Sequence, residues 1–173
     1  MKPTEMLANE HEHILKVVNA LIRECSKDTQ NINKEFFEGA IDFIRNYADK
    51  FHHAKEEDIL FKELCRDDVQ MHCNPTEQML YEHDLGRGFV KGMSYGIKEN
   101  NRKKVVDNAL SYANLLQEHI YKENNILYSM ADEALDEKTQ KKMLQMFKKA
   151  EAERFAKGVK EKYIELASEF ERR

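Results

Sequence analysis

Helix-breaking residues are scarce in this chain: 173 residues contain six glycines and two prolines. A turn-rich fold needs more of both, and with ordinary apolar content and high charge the expectation is a helical protein. Long apolar runs are missing too. Nothing in the sequence is long enough to span a bilayer, and the N-terminal MKPTEMLANEHEH has no signal-peptide apolar core, which argues against export. There is no excess of positive charge. The net charge of −4 speaks against nucleic acid or an anionic membrane as the main partner. The three cysteines, Cys25, Cys65 and Cys73, form no CxxC and leave one unpaired, which fits a reducing cytoplasm. No internal repeat and no low-complexity tract interrupts the chain, whose length suits one domain with a real core.

What is present is helical periodicity with misplaced polar residues. Val105, Ala109, Tyr112, Leu116, His119, Glu123, Ile126 and Met130 recur at alternating steps of four and three, the core-facing seam of a bundle helix. A buried carboxylate without a cation is expensive. Yet His119 and Glu123, one turn apart, point to the same side, which is how a helix offers a nitrogen and an oxygen to a shared metal. A first helix over about Thr4 to Cys25 carries Leu7, His11, Ile14, Val18, Leu21 and Cys25 on one stripe. A second, about Lys34 to Cys65, has the seam Phe37, Ile41, Ile44, Ala48, His52, Glu56 and Ile59. Its HHAKEE offers two HxxxE registers. Upstream of His53 the face is polar, whereas upstream of His52 it is apolar, so the inward pair is His52 and Glu56. His53 is expected only at the cavity rim.

Asn74-Pro75 marks the start of a third helix, with an N-cap, a proline at the first helical position and Glu77 placed for a capping box. Its seam runs Leu80, His83, Arg87, Val90, Ser94 and Ile97, and Gly88, Gly92 and Gly96 suggest a close neighbour or a kink. A fourth helix spans about Asn101 to Ala134. Asp136 then caps a C-terminal segment, Glu137 to about Glu171, whose apolar side packs on the bundle or joins two copies in a homodimer. The expected fold is all-α. Residues 1–134 form an up-down-up-down four-helix bundle and residues 135–173 a helical extension.

In such a bundle His11, His52, Glu56, His83, His119 and Glu123 share one slab roughly 10–20 Å above the end that holds the N-terminus. His11 or His83 alone reads best as a satisfied core residue, and a single seam HxxxE pair is as readily an ordinary i,i+4 pair as a ligand pair. Two seam HxxxE pairs and two seam histidines at one level read as a metal site. Four imidazoles and two carboxylates suit iron, manganese or zinc, and six groups are too many for a closed tetrahedral zinc. They suit two octahedral ions with Glu56 and Glu123 bridging, an oxo or hydroxo group between, and a position left open for a small ligand. His13 lies off the His11 stripe, and His72 falls between helices beside Cys73.

The runs NEHEHIL (9–15), FIRNYADKFHHAKEEDILF (43–61), NPTEQMLYEHDLGR (74–87) and LLQEHIYKENNILYSMA (115–131) resemble the hemerythrin-like, HHE cation-binding family. The resemblance implies a non-haem di-iron site in a four-helix bundle, held by His11, His52, Glu56, His83, His119 and Glu123. One departure stands out. Oxygen-carrying hemerythrins place another histidine one turn after the third-helix histidine, and here that position is Arg87, read as pairing with a carboxylate such as Glu10 or holding an anion near the metals. Some relatives have a ligand beside the second-helix histidine, which makes His53 a candidate seventh. The expected function is binding of O2, NO or peroxide in gas or oxidative-stress sensing or in iron handling. A di-iron peroxidase, NO reductase or iron–sulfur repair-like enzyme on the same ligands stays open, as does a metal-free helical interaction module.

Overall fold

The structure is a computed structural model and describes residues 1–71 and 73–173; His72, expected between helices, lies outside the described residues. Helix α1 is Pro3–Cys25, with the proline at its opening, where a missing N–H costs nothing. Helix α2 runs over 34–64 without a break, entered through Asn33, whose side chain accepts from Phe36 N–H. Helix α3 is Thr76–Lys98 and α4 spans 102–134, the latter capped by Asn101 through Lys104 N–H. Two more helices follow, α5 (Glu137–Arg154), capped by Asp136 through Thr139 N–H, and α6 (Val159–Arg172). Between them Gly158 sits at φ +86°, a left-handed conformation that favours glycine. No strand occurs among the described residues, and none of their helices is long and apolar enough to cross a membrane.

Helix α3 begins one residue later than the Asn-Pro reading. Pro75 occupies the N-cap, and the Asn74 side chain accepts from Thr76 N–H at 3.1 Å. The glycines of α3 divide. A Cβ on Gly96 would come within 2.8 Å of the Val105 side chain and 2.9 Å of its backbone nitrogen, so α4 does approach closely there, but Gly88 faces open space. The seam of α3 also shifts by one residue at its start: Met79 is buried and Leu80 is exposed.

Two apolar clusters form the core. One holds Ile14, Val18, Leu21, Ile41, Ala48, Phe51, Val90, Ala109, Tyr112 and Leu116, the other Leu7, Ile59, Leu60, Leu64, Met79, Leu127 and Tyr128. The last two helices complete both. Met143 and Phe147 of α5 join the second cluster, and Tyr163, Ala167 and Phe170 of α6 join the first. Phe170 packs edge-on against Phe36, and Arg23 donates to its carbonyl at 2.9 Å. The extension thus buries its apolar side within its own chain. His11, His52, Glu56, His83, His119 and Glu123 lie, along their helices, between residues of the two clusters.

Candidate metal centre

Four helices deliver the polar groups. Helix α1 contributes His11, α2 His52, His53 and Glu56, α3 His83, and α4 His119 and Glu123, each at most 6% exposed. The helices that carry carboxylates are locally widened. Residues Ile44–His53 and Glu56–Leu60 of α2 and Glu123–Leu127 of α4 are π-helical, with i→i+5 hydrogen bonds. Such stretches are rare and concentrate at functional sites. A wider turn advances fewer degrees per residue, so His52 and His53 both face inward. His53 is therefore not at the rim: its ring stacks on that of His83 at 3.8 Å between centroids. The same widening moves the α4 seam after Glu123 onto Leu127 and Tyr128, and leaves Ile126, expected inside, half exposed.

The donor atoms fall into two groups that share Glu56. His11, His52, Glu56 and Glu123 place one donor each within 4.8 Å of one another, and so do His53, Glu56, His83 and His119. The carboxylates span the halves. Glu123 sets Oε2 at 3.2 Å from His11 Nε2 and Oε1 at 3.2 Å from His119 Nε2. Glu56 sets Oε2 at 3.7 Å from His52 Nε2 and 3.5 Å from His83 Nε2, while its Oε1 accepts from the Tyr128 hydroxyl at 2.7 Å. Donors bound about 2.0–2.2 Å from one ion stand about 3–4 Å apart, which is the spacing seen.

Each inward histidine is oriented from behind. His52 Nδ1 donates to Glu10 (2.9 Å), His83 Nδ1 to Glu57 (2.7 Å), His119 Nδ1 to Glu82 (2.7 Å) and His11 Nδ1 to the Asn124 side-chain oxygen (2.8 Å). His53 Nδ1 lies 3.4 Å from Asp49. A carboxylate only accepts, so the hydrogen sits on Nδ1 and the lone pair of Nε2 faces the centre. The Nε2 atoms of His83 and His119 are 3.0 Å apart. Two lone pairs at that distance repel unless a cation lies between them.

The surroundings are anionic. Lys55 pairs with Glu10, Lys122 with Glu82, and Arg87 with both Asp49 (2.6 Å) and Glu57 (2.7 Å). Arg87 thus meets the carboxylates behind His53 and His83, and not Glu10, which lies behind His52. These three cations face six carboxylates once Glu56 and Glu123 are included. Burial, and then the Glu123 charge, pushes the Glu56 carboxyl well above its usual range. Burial would raise Glu123 as well, but His119 and His11 hold it well below. Burial drives His52 and His53 far toward the neutral imidazole. His52 Nε2, Glu56 Oε2 and both oxygens of Glu123 are buried without a hydrogen-bond partner among the described residues. Unpaired donors of this kind, converging at ligand spacing, fit two metal ions.

All six residues singled out from the periodicity meet here, and His13 does not: its ring meets Tyr47 edge-on at 6.1 Å, away from both groups. Sequence reasoning missed Tyr128, Lys55, Glu57, Glu82 and Asn124. For all of these but Tyr128 a signal existed, since Lys55, Glu57, Glu82 and Asn124 each directly precede or follow a donor. Beside His53, His83 and His119 lies a cavity of about 210 Å³, walled by Ile44, Val90, Tyr112 and Leu116 and lined further by Arg45, Arg87 and Lys91.

Compared with known proteins, residues 2–131 match a family model described as the hemerythrin HHE cation binding domain. No curated protein and no solved structure matches the chain.

Proposed function

This chain belongs to the hemerythrin HHE cation-binding family, and on that premise we propose that it is a non-haem di-iron protein that binds O2, NO or peroxide, in gas or oxidative-stress sensing or iron handling. His11 and His52 would hold one ion and His53, His83 and His119 the other, with Glu123 and Glu56 reaching both. Iron there would supply reversible small-ligand binding and redox chemistry. The observation that carries the reading is the set of Nε2 lone pairs facing both oxygens of Glu123 and Oε2 of Glu56, which have no hydrogen-bond partner among the described residues.

The chain's own residues do three things. Glu10, Glu57, Glu82 and Asn124 fix the tautomer and aim of the imidazoles, which raises their basicity as ligands. Tyr128 holds Glu56 Oε1 and leaves Oε2 to face the centre. The two apolar clusters exclude water above and below, so the charges stay unscreened.

Protein from iron-replete cells, assayed for metal content together with its optical spectrum and its response to NO without oxygen, tests this. Two irons per chain, near-ultraviolet charge-transfer bands and a spectral change with NO are expected. Less than about one equivalent of any transition metal refutes it, and a colourless, fully loaded protein favours zinc over an oxo-bridged ferric pair. Repeated turnover of peroxide or NO with a reductant would make the protein an enzyme.

A further inference from the structure

Residues 135–173 lie beyond the family match, which ends at residue 131, yet they cover the back of the centre. Helix α5 packs on both π-helical stretches of α2, Ile44–His53 and Glu56–Leu60, the turns that bring His52, His53 and Glu56 inward. Its Met143 and Phe147 join Ile59, Leu60 and Leu64 in one apolar cluster. Phe155, at the end of α5, stacks at 4.7 Å on Phe51, the residue before His52. Arg154 pairs with Asp58 at 2.9 Å, and Lys142 with Glu63 at 3.2 Å.

Beneath this cover runs a line of contacts to one metal-facing imidazole. Lys55 Nζ stands 3.7 Å from the Phe51 ring centroid and 5.8 Å from that of Phe147. Lys160 of α6 is 5.4 Å from the Phe51 ring and is tied to Glu151 of α5 at 2.8 Å. The Lys55 ammonium bonds to Glu10, whose other oxygen accepts from His52 Nδ1 at 2.9 Å. Three contacts therefore lead from Phe147 to His52. With the extension in place, Lys55 is 1% exposed and Glu10 4%. An ion pair kept from water attracts several times more strongly than one in it. Were α5 to lift, water would compete for both partners, and His52 would lose the fixed acceptor that aims it.

We propose that the C-terminal extension is a clamp on the metal centre: docked, α5 holds Lys55 on Glu10 and Glu10 on His52, and docking and metal binding strengthen each other. Linkage makes the effect reciprocal, so the factor that docking adds to metal affinity is the factor that metal adds to docking. The empty centre pushes the same way. The Nε2 atoms of His83 and His119 at 3.0 Å, and the Glu123 oxygens that lack a hydrogen-bond partner among the described residues, oppose close packing of the helices until cations lie between them. Loss of metal is thereby turned into exposure of Met143 and Phe147. The inference rests on the two-metal reading, and the experiment tells the two failures apart.

Phe147→Ala is placed in the full-length wild type and in the Glu10→Gln/Lys55→Met background, where the line of contacts is cut. Ile97→Ala, a buried residue at the C-terminal end of α3, is the control. Chelator competition measures iron affinity, and hydrogen exchange measures protection of α5 in iron-loaded and stripped protein. Phe147→Ala should lower affinity at the His11/His52 half about tenfold in the wild type and less than about twofold in the cut background, with Ile97→Ala unchanged. In wild type, iron should slow exchange in α5 about tenfold, more than at the end of α3. Equal losses in both backgrounds, or α5 exchange indifferent to iron, overturn the proposal. Should Phe147→Ala not fold, the wild-type exchange decides. If wild type binds no metal, the two-metal reading fails, and the clamp is read from the His52 Nδ1–H NMR signal of the metal-free chain. Exchange of that proton with water at least about tenfold faster in Phe147→Ala upholds the hold on His52, and an unaltered rate ends it.

Discussion

Replacing Lys55 with methionine probes the support behind the metal ligands. Lys55 is 1% exposed, its ammonium bonds to Glu10, and it sits 3.7 Å above the Phe51 ring. Glu10 uses its other oxygen to hold His52 Nδ1 at 2.9 Å. Methionine keeps the volume and the ring contact but leaves a buried carboxylate without its cation. Breaking a buried pair in this way costs about 3–5 kcal/mol, or a Tm lower by about 10 °C for a chain of this size. Burial already raises the Glu10 carboxyl. Without Lys55 that carboxyl is pushed further toward its protonated form, and His52 is held by a weaker acceptor, so metal affinity at that half should fall about 10- to 100-fold. The analogous Lys122→Met should cost only about 1 kcal/mol, because that side chain is 35% exposed. Urea unfolding of the metal-free chain measures the stability, and chelator competition the affinity. The double variant Glu10→Gln/Lys55→Met should regain most of the stability, since no charge is left unpaired. A single variant within 1 kcal/mol of wild type with unaltered affinity, or a double variant as unstable as the single, refutes the reasoning.

Other perturbations follow from the same geometry. His53→Ala should lose about half of the bound metal and His13→Ala none, as metal analysis would show; equal losses would remove His53 from the site. Tyr128→Phe should retain both metals but shift the optical spectrum, because Glu56 Oε1 is released. Gly88→Ala should stabilise by about 0.5–1 kcal/mol and Gly96→Ala destabilise by about 1–3 kcal/mol, a contrast read by thermal unfolding, since only the latter meets backbone. Burial would raise the Asp49 carboxyl, but Arg87 and the nearby His53 hold it well below its usual range, and burial of Glu57 is likewise outweighed by His83 and Arg87, which lower it. A depressed folded-state value gives stability that is complete above the unfolded range near pH 4 and lost as pH falls through the folded one. Arg87→Gln should therefore move the acid-unfolding midpoint of the metal-free chain upward, and an unmoved midpoint would show that Arg87 does not sustain these carboxylates.

The six donors were legible because a seam is strict: a histidine or glutamate where leucine belongs is conspicuous against a period of three and four. His53 and the lower part of α4 were misread for one shared reason. Counting at a constant angle per residue presumes an α-helix, and the π-helical turns at Ile44–His53, Glu56–Leu60 and Glu123–Leu127 break that angle where the ligands sit. No residue type in those stretches announces a wider turn. The partner of Arg87, expected to be a carboxylate such as Glu10, was out of reach for another reason: which carboxylates it meets depends on how α2 and α3 pack.

Local periodicity and chemistry, then, are written in the chain. An all-α protein, the cap at Asp136 and six polar residues forced inward follow from propensity and amphipathic spacing, which act within a few turns of one helix. The pairing of Lys55 with Glu10, the entry of His53, the hold of Tyr128 on Glu56 and the cavity beside His83 were decided only when separate helices packed. Each depends on distances between residues far apart in sequence, and those distances exist only after the apolar clusters above and below have closed.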